Sequence, residues 1–326
     1  MNTSMNSTEQ FMKAIAFEKF GDVGELGVRS VPVPKVGDDE VLIRVHNTSV
    51  NPVDWKIRRG YLKDLLPHIF PVIPGWDAAG VVEQVGINVS TFEVGDFVAG
   101  YTRLPEVHHG TYAELISVPA SFLAKIPKGL SLEQAAGVPL VALTAWQALT
   151  DYSTIEPGQN ILILNGAGGV GSFAIQFAKQ LGAIVTTTTS TRNQSYVKSL
   201  GADHVIDYSE EDVSKEARVI APSGFDFIFD GIGGDNLKHA YNLVKAEGKL
   251  VSIVDQPDPH ATQSYKANFH FVYPNGEQLK KIFESIDSHK IQLPNFKVMP
   301  ISAAREAHTE SESHRTRGKI VLSVAF

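Results

Sequence analysis

The chain has 326 residues, of which 43% are hydrophobic and 20% charged, as in ordinary globular proteins with one large or two medium domains. Its net charge of −7 and the absence of a basic cluster argue against nucleic acid as a partner. Cysteine is absent, which excludes disulfides, thiolate nucleophiles and cysteine-based zinc sites.

The N-terminal segment MNTSMNSTEQ is polar, and we expect a disordered leader over 1–11 that is not a secretory signal. No apolar run approaches the roughly 20 residues that a membrane helix needs, so we predict no membrane partner. Because no targeting signal is visible, we expect a cytoplasmic protein.

Short strands dominate the chain from Met12 to about residue 130. The segments KAIAFEKF and EVLIRVHNTSV have the pattern of half-buried strands, and stretches rich in Gly and Pro separate them. They predict a β-rich domain over 12–130. The C-terminal segment GKIVLSVAF is also typical of a strand, and we expect 277–326, with a helix over 277–290, to return to this domain.

Strands and helices alternate over 131–276. SLEQAAGVPLVALTAWQALT predicts a helix capped by Ser131 and Gln134. The apolar segments NILILN, AIVTTTT, HVIDY, FDFIFD and KLVSIV follow, with helices predicted between them, the last over 235–246. This alternation predicts an α/β fold with a doubly wound parallel sheet.

The strand NILILN ends at a glycine motif, and a helix follows. Dinucleotide sites require this context, because the glycines permit a tight turn, close approach of a pyrophosphate and helix packing. The helix N-terminus can hold the phosphates. The alternative is a glycine-rich turn without a ligand, whereas a Walker loop is excluded because no Lys-Ser or Lys-Thr follows. The predicted phosphate-binding residues are Gly166, Gly168, Gly169, Val170 and Gly171.

The segment TTTTSTRN predicts the cofactor. NAD sites place a carboxylate about 20 residues beyond the glycines, at the ribose 2′-hydroxyl. This segment has none, whereas Ser190, Thr191 and Arg192 offer hydroxyls and a guanidinium to a 2′-phosphate. We therefore predict NADPH, with no carboxylate opposing its phosphate and with Tyr208 beside the adenosine. The alternative is that Arg192 is simply a solvated residue.

The chain from Met12 to Phe326 resembles the zinc-independent quinone oxidoreductase and enone reductase branch of the medium-chain dehydrogenase/reductase superfamily. The resemblance implies a GroES-like catalytic domain around a Rossmann domain, NADPH-dependent reduction of quinones or α,β-unsaturated carbonyls, and a homodimer. The segments that carry it are MKAIAFEKFG, NPVDWKIRRG, PGWDAAGVVEQVG, GTYAELISVP, LTAWQAL, NGAGGVGSFAIQFAKQLGA, GADHVIDY and RGKIVL.

The same resemblance implies no metal site. Asn51 and Trp76 stand where zinc-dependent relatives have Cys and His. His108 and His109 are adjacent on a segment that we expect to be extended, so they should point to opposite sides and make a poor shared site.

Without a metal, hydrogen bonds have to polarise the substrate. Hydride addition to an enone or quinone builds charge on oxygen, and fixed donors stabilise that charge. The predicted catalytic residues are Asn51, Lys56 and Tyr61. Asn51 could equally be a turn residue, and Lys56 could pair with Asp54. No proton donor is assigned.

Further cofactor contacts are predicted along the chain. Thr144 and Lys319 match family positions near the nicotinamide and the cofactor. Gly231, Ile232, Ile253 and Val254 end two strands at the sheet edge that binds ligands, although core packing is the alternative for them.

Two other functions remain open at this stage. The fold also suits an NADP(H)-binding redox sensor or structural protein with little catalysis, although the segment NPVDWK favours an enzyme. An alcohol dehydrogenase would need a metal. The segment ANFHFVYP has strand character, and we predict that a homodimer forms along this exposed edge.

Overall fold

The computed structural model describes residues 10–313, 316 and 318–326. Most of the predicted leader lies outside the described residues, and the first strand begins at Phe11, one residue earlier than expected. The strands are β1 (Phe11–Ala16), β2 (Gly27–Pro32), β3 (Glu40–Val50), β4 (Asp77–Val85), β5 (Phe97–Tyr101), β6 (Leu115–Pro119), β7 (Leu123–Lys125), β8 (Asn160–Ile163), β9 (Ile184–Thr189), β10 (His204–Asp207), β11 (Phe225–Asp230), β12 (Val244–Ser252), β13 (Lys266–Phe269), β14 (Phe296–Pro300) and β15 (Lys319–Ser323). The α-helices are α1 (Pro52–Arg58), α2 (Leu132–Ala136), α3 (Pro139–Thr150), α4 (Gly169–Gln180), α5 (Gln194–Ser199), α6 (Val213–Ile220), α7 (Gly234–Ala240), α8 (Gly276–Asp287) and α9 (Ala304–Glu312).

The chain forms two compact units. The first contains 10–140, Pro274–Asp287 and Phe296–Phe326, and the second contains Val141–Tyr273 and Ser288–Asn295. Compared with the predicted ranges, residues 131–140 pack with the first unit and residues 288–295 with the second.

The first unit is built on a mostly antiparallel sheet. Its order is β14-β15-β3-β4-β5-β7, with β6 also paired to β3, while β1 and β2 form a separate hairpin. The long strand β3 pairs with β6 near its start and with β15 at its end, where Ile320 lies opposite Val50. The C-terminal strand therefore pairs within the sheet of the first unit. Alternate residues of β3, among them Val41 and Ile43, point into the apolar core.

The second unit contains a six-stranded parallel sheet in the order β10-β9-β8-β11-β12-β13. This order, with the first strand in the middle, is that of dinucleotide-binding sheets, and it confirms the predicted doubly wound α/β fold. The central strands are buried on both faces; Ile161 and Ile228, for example, are completely inaccessible to solvent. No α-helix in these described parts of the chain is long and apolar enough to cross a bilayer.

Two predicted helices differ in the structure. The segment after Ser131 forms two helices, because Pro139 cannot continue the first and starts the second. A Cβ at Gly137, between them, would lie 2.1 Å from the Phe296 ring. The capping box is confirmed: the Gln134 amide donates to Ser131 Oγ at 3.3 Å, and the Ser131 amide donates to Gln134 Oε1 at 3.0 Å.

The helix predicted over 235–246 is too long. It ends at Ala240, and β12 begins at Val244, which pairs with Phe225 of β11. Glu247 has a φ of 63°, and no α-helix continues through such a residue. Strand pairing therefore overrides local helix propensity in this segment.

Candidate active site

The glycine motif connects β8 to α4, and its shape requires glycine. A Cβ at Gly166 would lie 2.0 Å from Thr187 Oγ1, and one at Gly171 would lie 2.1 Å from the Asn165 carbonyl oxygen. Asn165, just before the motif, has a φ of 66°, so the chain turns sharply there. Both glycines are thus required by the close packing of the loop on β9 and on its own backbone.

The start of α4 is suited to an anion. Gly168 is the N-cap, and the first helical turn, which contains Gly169, Val170 and Gly171, carries no acidic residue. Amides in a first turn have no acceptor inside their helix, and the helix dipole is positive at this end. The loop and the helix together fit the pyrophosphate of a dinucleotide.

A carboxylate from the neighbouring strand lies next to the residues predicted to bind the 2′-phosphate. Thr191 and Arg192 are exposed in a short turn after β9. Asp207, at the end of the neighbouring strand β10, is buried, and its carboxylate accepts hydrogen bonds from the Thr191 hydroxyl and from Gln194 Nε2 at 2.9 Å. The Thr191 hydroxyl is the main cause that lowers the pKa of Asp207. A carboxylate therefore lies directly beside the predicted phosphate pocket.

Asp207 is visible in the sequence as the last polar residue of HVIDY. Parallel pairing brings it next to β9, since Asp207 lies opposite Thr189 in the register. Ser190, which follows, is half-buried and accepts a long hydrogen bond of 3.3 Å from Asn193 Nδ2. Tyr208 is 54% exposed at the same edge, where its amide donates to the Thr189 carbonyl.

A second acidic residue that sequence reasoning missed holds two further loops in the parallel-sheet unit. Asp230 ends β11 and is completely buried. Its Oδ1 accepts the amides of Ile232 and Gly233, both at 3.0 Å, and its Oδ2 accepts the Ser252 hydroxyl at 2.7 Å. Ser252 Oγ in turn accepts the Val254 amide at 3.2 Å. The predicted positions 231–232 and 253–254 are thus held together by one carboxylate.

Thr144 is 4% exposed in α3. One turn later, Gln147 bonds the backbone of Tyr273 in both directions: its Nε2 donates to the carbonyl at 2.9 Å, and its Oε1 accepts the amide at 3.1 Å. This pair of bonds fixes the chain after β13 against α3, within the same unit.

The first unit contains a buried polar network that we call the Asn51 network, made of Ser49, Asn51, Asp54, Asp77 and Lys319. The Asn51 amide group donates to Asp77 Oδ2 at 2.8 Å, and its oxygen accepts Lys319 Nζ at 2.6 Å. Ser49 Oγ donates to the same Asp77 oxygen at 2.6 Å, and the backbone amide of Asn51 donates to Asp54 Oδ2 at 2.7 Å. The network joins β3, α1, β4 and β15.

Burial governs the charges of this network. It raises the pKa of Asp54 to about 7 and also raises that of Asp77, while it lowers the pKa of Lys319. The positive charge of Lys319 opposes the rise in pKa of both carboxyls, but one ammonium group cannot neutralise two carboxylates. The sequence shows these residues individually, and only the fold brings them together.

The predicted catalytic residues fall into two groups. Asn51 is completely buried, and its amide is engaged with Asp77 and Lys319. Lys56 lies over the Trp55 ring, with Nζ 5.8 Å from the centroid, and the Tyr61 ring makes an edge contact with the same tryptophan at 6.0 Å. Tyr61 is 69% exposed. Trp55 therefore brings Lys56 and Tyr61 together, whereas Asn51 and Lys319 share a separate, interior site.

The two adjacent histidines are arranged differently from the prediction. The chain bends at His108, and the rings of His108 and His109 lie 4.1 Å apart. Burial, and then the neighbouring His108, lower the pKa of His109. Among the residues that the structure describes, no group of three or more His, Asp or Glu side chains is placed to hold a metal ion.

Comparison with known proteins decides the family. Residues 37–128 match the alcohol dehydrogenase GroES-like domain family, and residues 200–322 match a zinc-binding dehydrogenase family. The chloroplastic NADPH-dependent alkenal/one oxidoreductase of Arabidopsis thaliana is 36% identical over 334 residues, which cover 98% of this chain and 81% of the relative. The chain belongs to the medium-chain dehydrogenase/reductase superfamily. It is therefore a nicotinamide-dependent oxidoreductase.

Solved structures of the superfamily confirm its fold. The quinone oxidoreductase of Coxiella burnetii has a TM-score of 0.86 and 33% identity, with 97% of this chain and 100% of that chain covered. A mycobacterial relative solved in complex with NADPH has a TM-score of 0.85 and 28% identity, with 96% and 99% covered. The GroES-like domain and the Rossmann sheet are thus those of this superfamily, as the sequence resemblance implied.

Proposed function

We propose that the protein reduces quinones or α,β-unsaturated carbonyls by hydride transfer from NADPH. The observation that carries the proposal is the glycine loop, because Gly166 and Gly171 allow it to pack closely on β9 and on its own backbone, which leaves the start of α4 suited to a pyrophosphate. The names of the similar proteins, an NADPH-dependent alkenal/one oxidoreductase and a quinone oxidoreductase, supply the substrate classes.

In this proposal, the cofactor is held along the edge of the parallel sheet where the strands end. When bound, NADPH supplies a hydride, and the residues of the chain bind and orient it. The glycine loop binds the pyrophosphate, Ser190, Thr191 and Arg192 bind the 2′-phosphate, and Tyr208 flanks the adenosine. The residues proposed for the remainder of the cofactor are Thr144, Gly231, Ile232, Ile253, Val254 and Lys319.

Lys56 and Tyr61 are the proposed donors to the substrate oxygen, where negative charge builds during hydride addition. Both are held at Trp55, and Tyr61 is open to solvent. Asn51 remains a proposed donor, but it would have to exchange Asp77 for the substrate. In this proposal Lys56 and Tyr61 make the direct contacts with the substrate oxygen. The sequence had given Asn51 the same standing as these two residues.

Preference for NADPH over NADH rests on Arg192. Its exposed guanidinium can bind a phosphate, and a charge-assisted hydrogen bond contributes about 1.5–3 kcal/mol. Arg192→Ala should therefore weaken NADPH binding about 10- to 150-fold and leave NADH binding nearly unchanged. Arg218→Ala, at an exposed arginine of α6, is the matched control. Equal weakening of both cofactors would mean that Arg192 only supports the loop.

A substrate panel tests the activity itself. Oxidation of NADPH and of NADH is followed with quinones, enones and saturated ketones as acceptors. The proposal expects turnover of quinones or enones with NADPH and little with saturated ketones. Tight NADPH binding without turnover of any acceptor would favour the alternative of a redox sensor or structural protein.

We also propose a homodimer that forms along β13. This strand is last in the sheet order and pairs with β12 on one side. An exposed strand edge can pair with a second copy. Light scattering at micromolar concentration should give twice the chain mass of 35.5 kDa, and Ala267→Pro on β13, at an amide on the side away from β12, should give the mass of one chain. A single-chain mass for the unchanged protein would contradict this assembly.

A further inference from the structure

The Asn51 network contains more negative than positive groups. Asp54 and Asp77 are both completely buried, and Lys319 is 4% exposed. Two ionised carboxylates and one ammonium would leave an uncompensated negative charge in the interior. Such a charge costs several kcal/mol, and a buried group usually changes its protonation state instead. One of the two carboxyls should therefore carry a proton.

The hydrogen bonds show which carboxyl is ionised. Asp77 accepts Ser49 Oγ, Asn51 Nδ2 and the Leu140 amide at 2.6–2.8 Å, and Lys319 Nζ lies 3.9 Å from it. Three donors and a nearby cation stabilise a carboxylate.

Asp54 is in a poorer environment for a charge. Its Oδ2 accepts the Asn51 amide, while its Oδ1 is buried without a hydrogen-bond partner in the structure. The Gly75 amide also favours the ionised form of Asp54, but less than Asn51 does. The proton should therefore reside on Asp54.

We propose that protonated Asp54 is a positioning residue of the reaction. In its neutral form it accepts the Asn51 backbone amide and leaves Lys319 in place on Asn51 Oδ1; loss of the proton attracts the Lys319 ammonium away from Asn51. The role in catalysis rests on the proposed reductase function, whereas the protonation state does not.

The disturbance follows from the contacts of Lys319. Its Nζ donates to Asn51 Oδ1 and to the Val50 carbonyl at 3.1 Å. A second negative charge on Asp54 would repel Asp77 and attract the ammonium away from these acceptors. Since Asn51 and Lys319 are a proposed donor and a proposed cofactor contact, activity should fall when Asp54 ionises.

Other titratable groups pack around Asp54 from neighbouring elements. Asp77 on β4 and Lys319 on β15 form the ion pair, and Tyr101 on β5 and Tyr112 before β6 have pKa values raised by burial. His308 of α9, whose ring contacts Tyr112, has its pKa lowered to about 3. Burial raises the pKa of Asp54 to about 7, so Asp54 titrates near neutrality.

Infrared spectroscopy of the cofactor-free protein tests the protonation directly. At pH 6 the unchanged protein should show the carbonyl band of a buried carboxylic acid, which should disappear as the pH rises through about 7. Asp54→Asn should lack the band, and Asp38→Asn, at an exposed carboxylate of the same unit, should retain it. Absence of the band, or its persistence in Asp54→Asn, would overturn the inference.

A pH profile of NADPH-dependent reduction tests the positioning role. The rate of the unchanged protein should fall severalfold across the same pH range as the infrared transition. Asp54→Asn mimics the protonated acid, so it should be at least tenfold more active than Asp54→Ala and should lack the inflection. An inflection that persists in Asp54→Asn, or that does not coincide with the infrared transition, would refute the role.

These two readouts separate the possible failures. If no acceptor is reduced but the infrared band behaves as expected, the proposed function fails and the protonation of Asp54 stands. In that case the pH dependence of NADPH affinity, measured by cofactor fluorescence, decides the positioning role. If Asp54→Asn does not fold, the positioning role is tested in the unchanged protein alone. The infrared transition and the fall in rate should then occur over the same pH range, and different ranges would refute the role.

Discussion

Lys319 of β15 donates to the side-chain oxygen of Asn51 at 2.6 Å, although 268 positions separate the two residues in the chain. This bond connects the end of β3 to β15, the last strand in chain order. It also brings a positive charge into an interior that holds two carboxyls. Lys319 therefore contributes to stability as well as to its proposed role at the cofactor.

Lys319→Met should destabilise the protein by about 3–5 kcal/mol, because removal of one partner of a buried ion pair leaves the other charge uncompensated. Urea unfolding measures the loss. The control is Lys297→Met on the adjacent strand β14, whose partner Glu310 is at the surface. An exposed pair contributes about 0–1 kcal/mol. If both variants lost the same unfolding free energy, the buried ion pair at Lys319 would contribute no more to stability than an exposed pair.

Asp54 makes the stability depend on pH. Its pKa is raised from 3.8 to about 7, so the folded chain binds the proton more tightly than the unfolded chain. The stabilisation is full below about pH 4 and is lost as pH rises to about 7, for a total of about 4 kcal/mol. The difference in unfolding free energy between the unchanged protein and Asp54→Asn should therefore fall over this range and stay constant above it. A difference that is independent of pH would contradict the assignment.

His270 has the opposite effect. Burial lowers its pKa to about 4, and neither ring nitrogen has a hydrogen-bond partner in the structure. The folded chain binds a proton at this ring less readily than the unfolded chain, so stability is lost as pH falls from about 6.5 to about 4.

His270→Phe should therefore stabilise the protein by about 1–3 kcal/mol at pH 8, where it removes unpaired polar atoms, and by more at pH 5. Thermal unfolding at both pH values measures the effect. His260→Gln, at an exposed histidine of the same unit, should change neither value. A destabilising His270→Phe substitution would show that the ring nitrogens have partners in solution.

Gly171 should be intolerant of any side chain. The Cβ of Gly171→Ala would lie 2.1 Å from the backbone oxygen of Asn165, and backbone cannot move aside as a flexible side chain can. We expect a loss of about 1–3 kcal/mol or more, with loss of NADPH binding. Gly24→Ala, where no atom lies within 4 Å of the new Cβ, should be nearly neutral. Normal NADPH affinity in Gly171→Ala would disprove the role of the loop.

Asp207 should weaken the preference for NADPH. Its carboxylate accepts the Thr191 hydroxyl beside the proposed 2′-phosphate site, so Asp207→Asn should strengthen binding of NADPH and leave that of NADH nearly unchanged. Fluorescence titration with both cofactors measures this. Glu210→Gln, at an exposed acid nearby, shows whether the general charge of the surface is responsible. Unchanged affinity for NADPH would place Asp207 outside the range of the phosphate.

The features predicted from sequence are those that neighbouring residues determine. The glycine loop was predictable because strand, glycines and helix follow one another within 160–180, and added Cβ atoms at Gly168 and Gly171 would both meet Asn165 nearby in the chain. Asp207 was missed as a neighbour of Thr191 because only the register of β9 and β10 brings them together. The break after α2 depends in part on Phe296, which is far away in the chain. Contacts of this kind follow from tertiary packing and leave no local pattern.

The double pairing of β3 has a consequence for how the protein is made on the ribosome. At about 5–20 residues per second, the 268 positions between Asn51 and Lys319 take on the order of 10 to 50 s to synthesise. During this interval the end of β3 lacks its partner β15, and Asp77 lacks its cation. The parallel-sheet unit is contained within 141–295, so its strands are all synthesised before Lys319 is added. The nascent chain can therefore complete the parallel sheet before β15 has been synthesised, although most strands of the N-terminal sheet were made earlier.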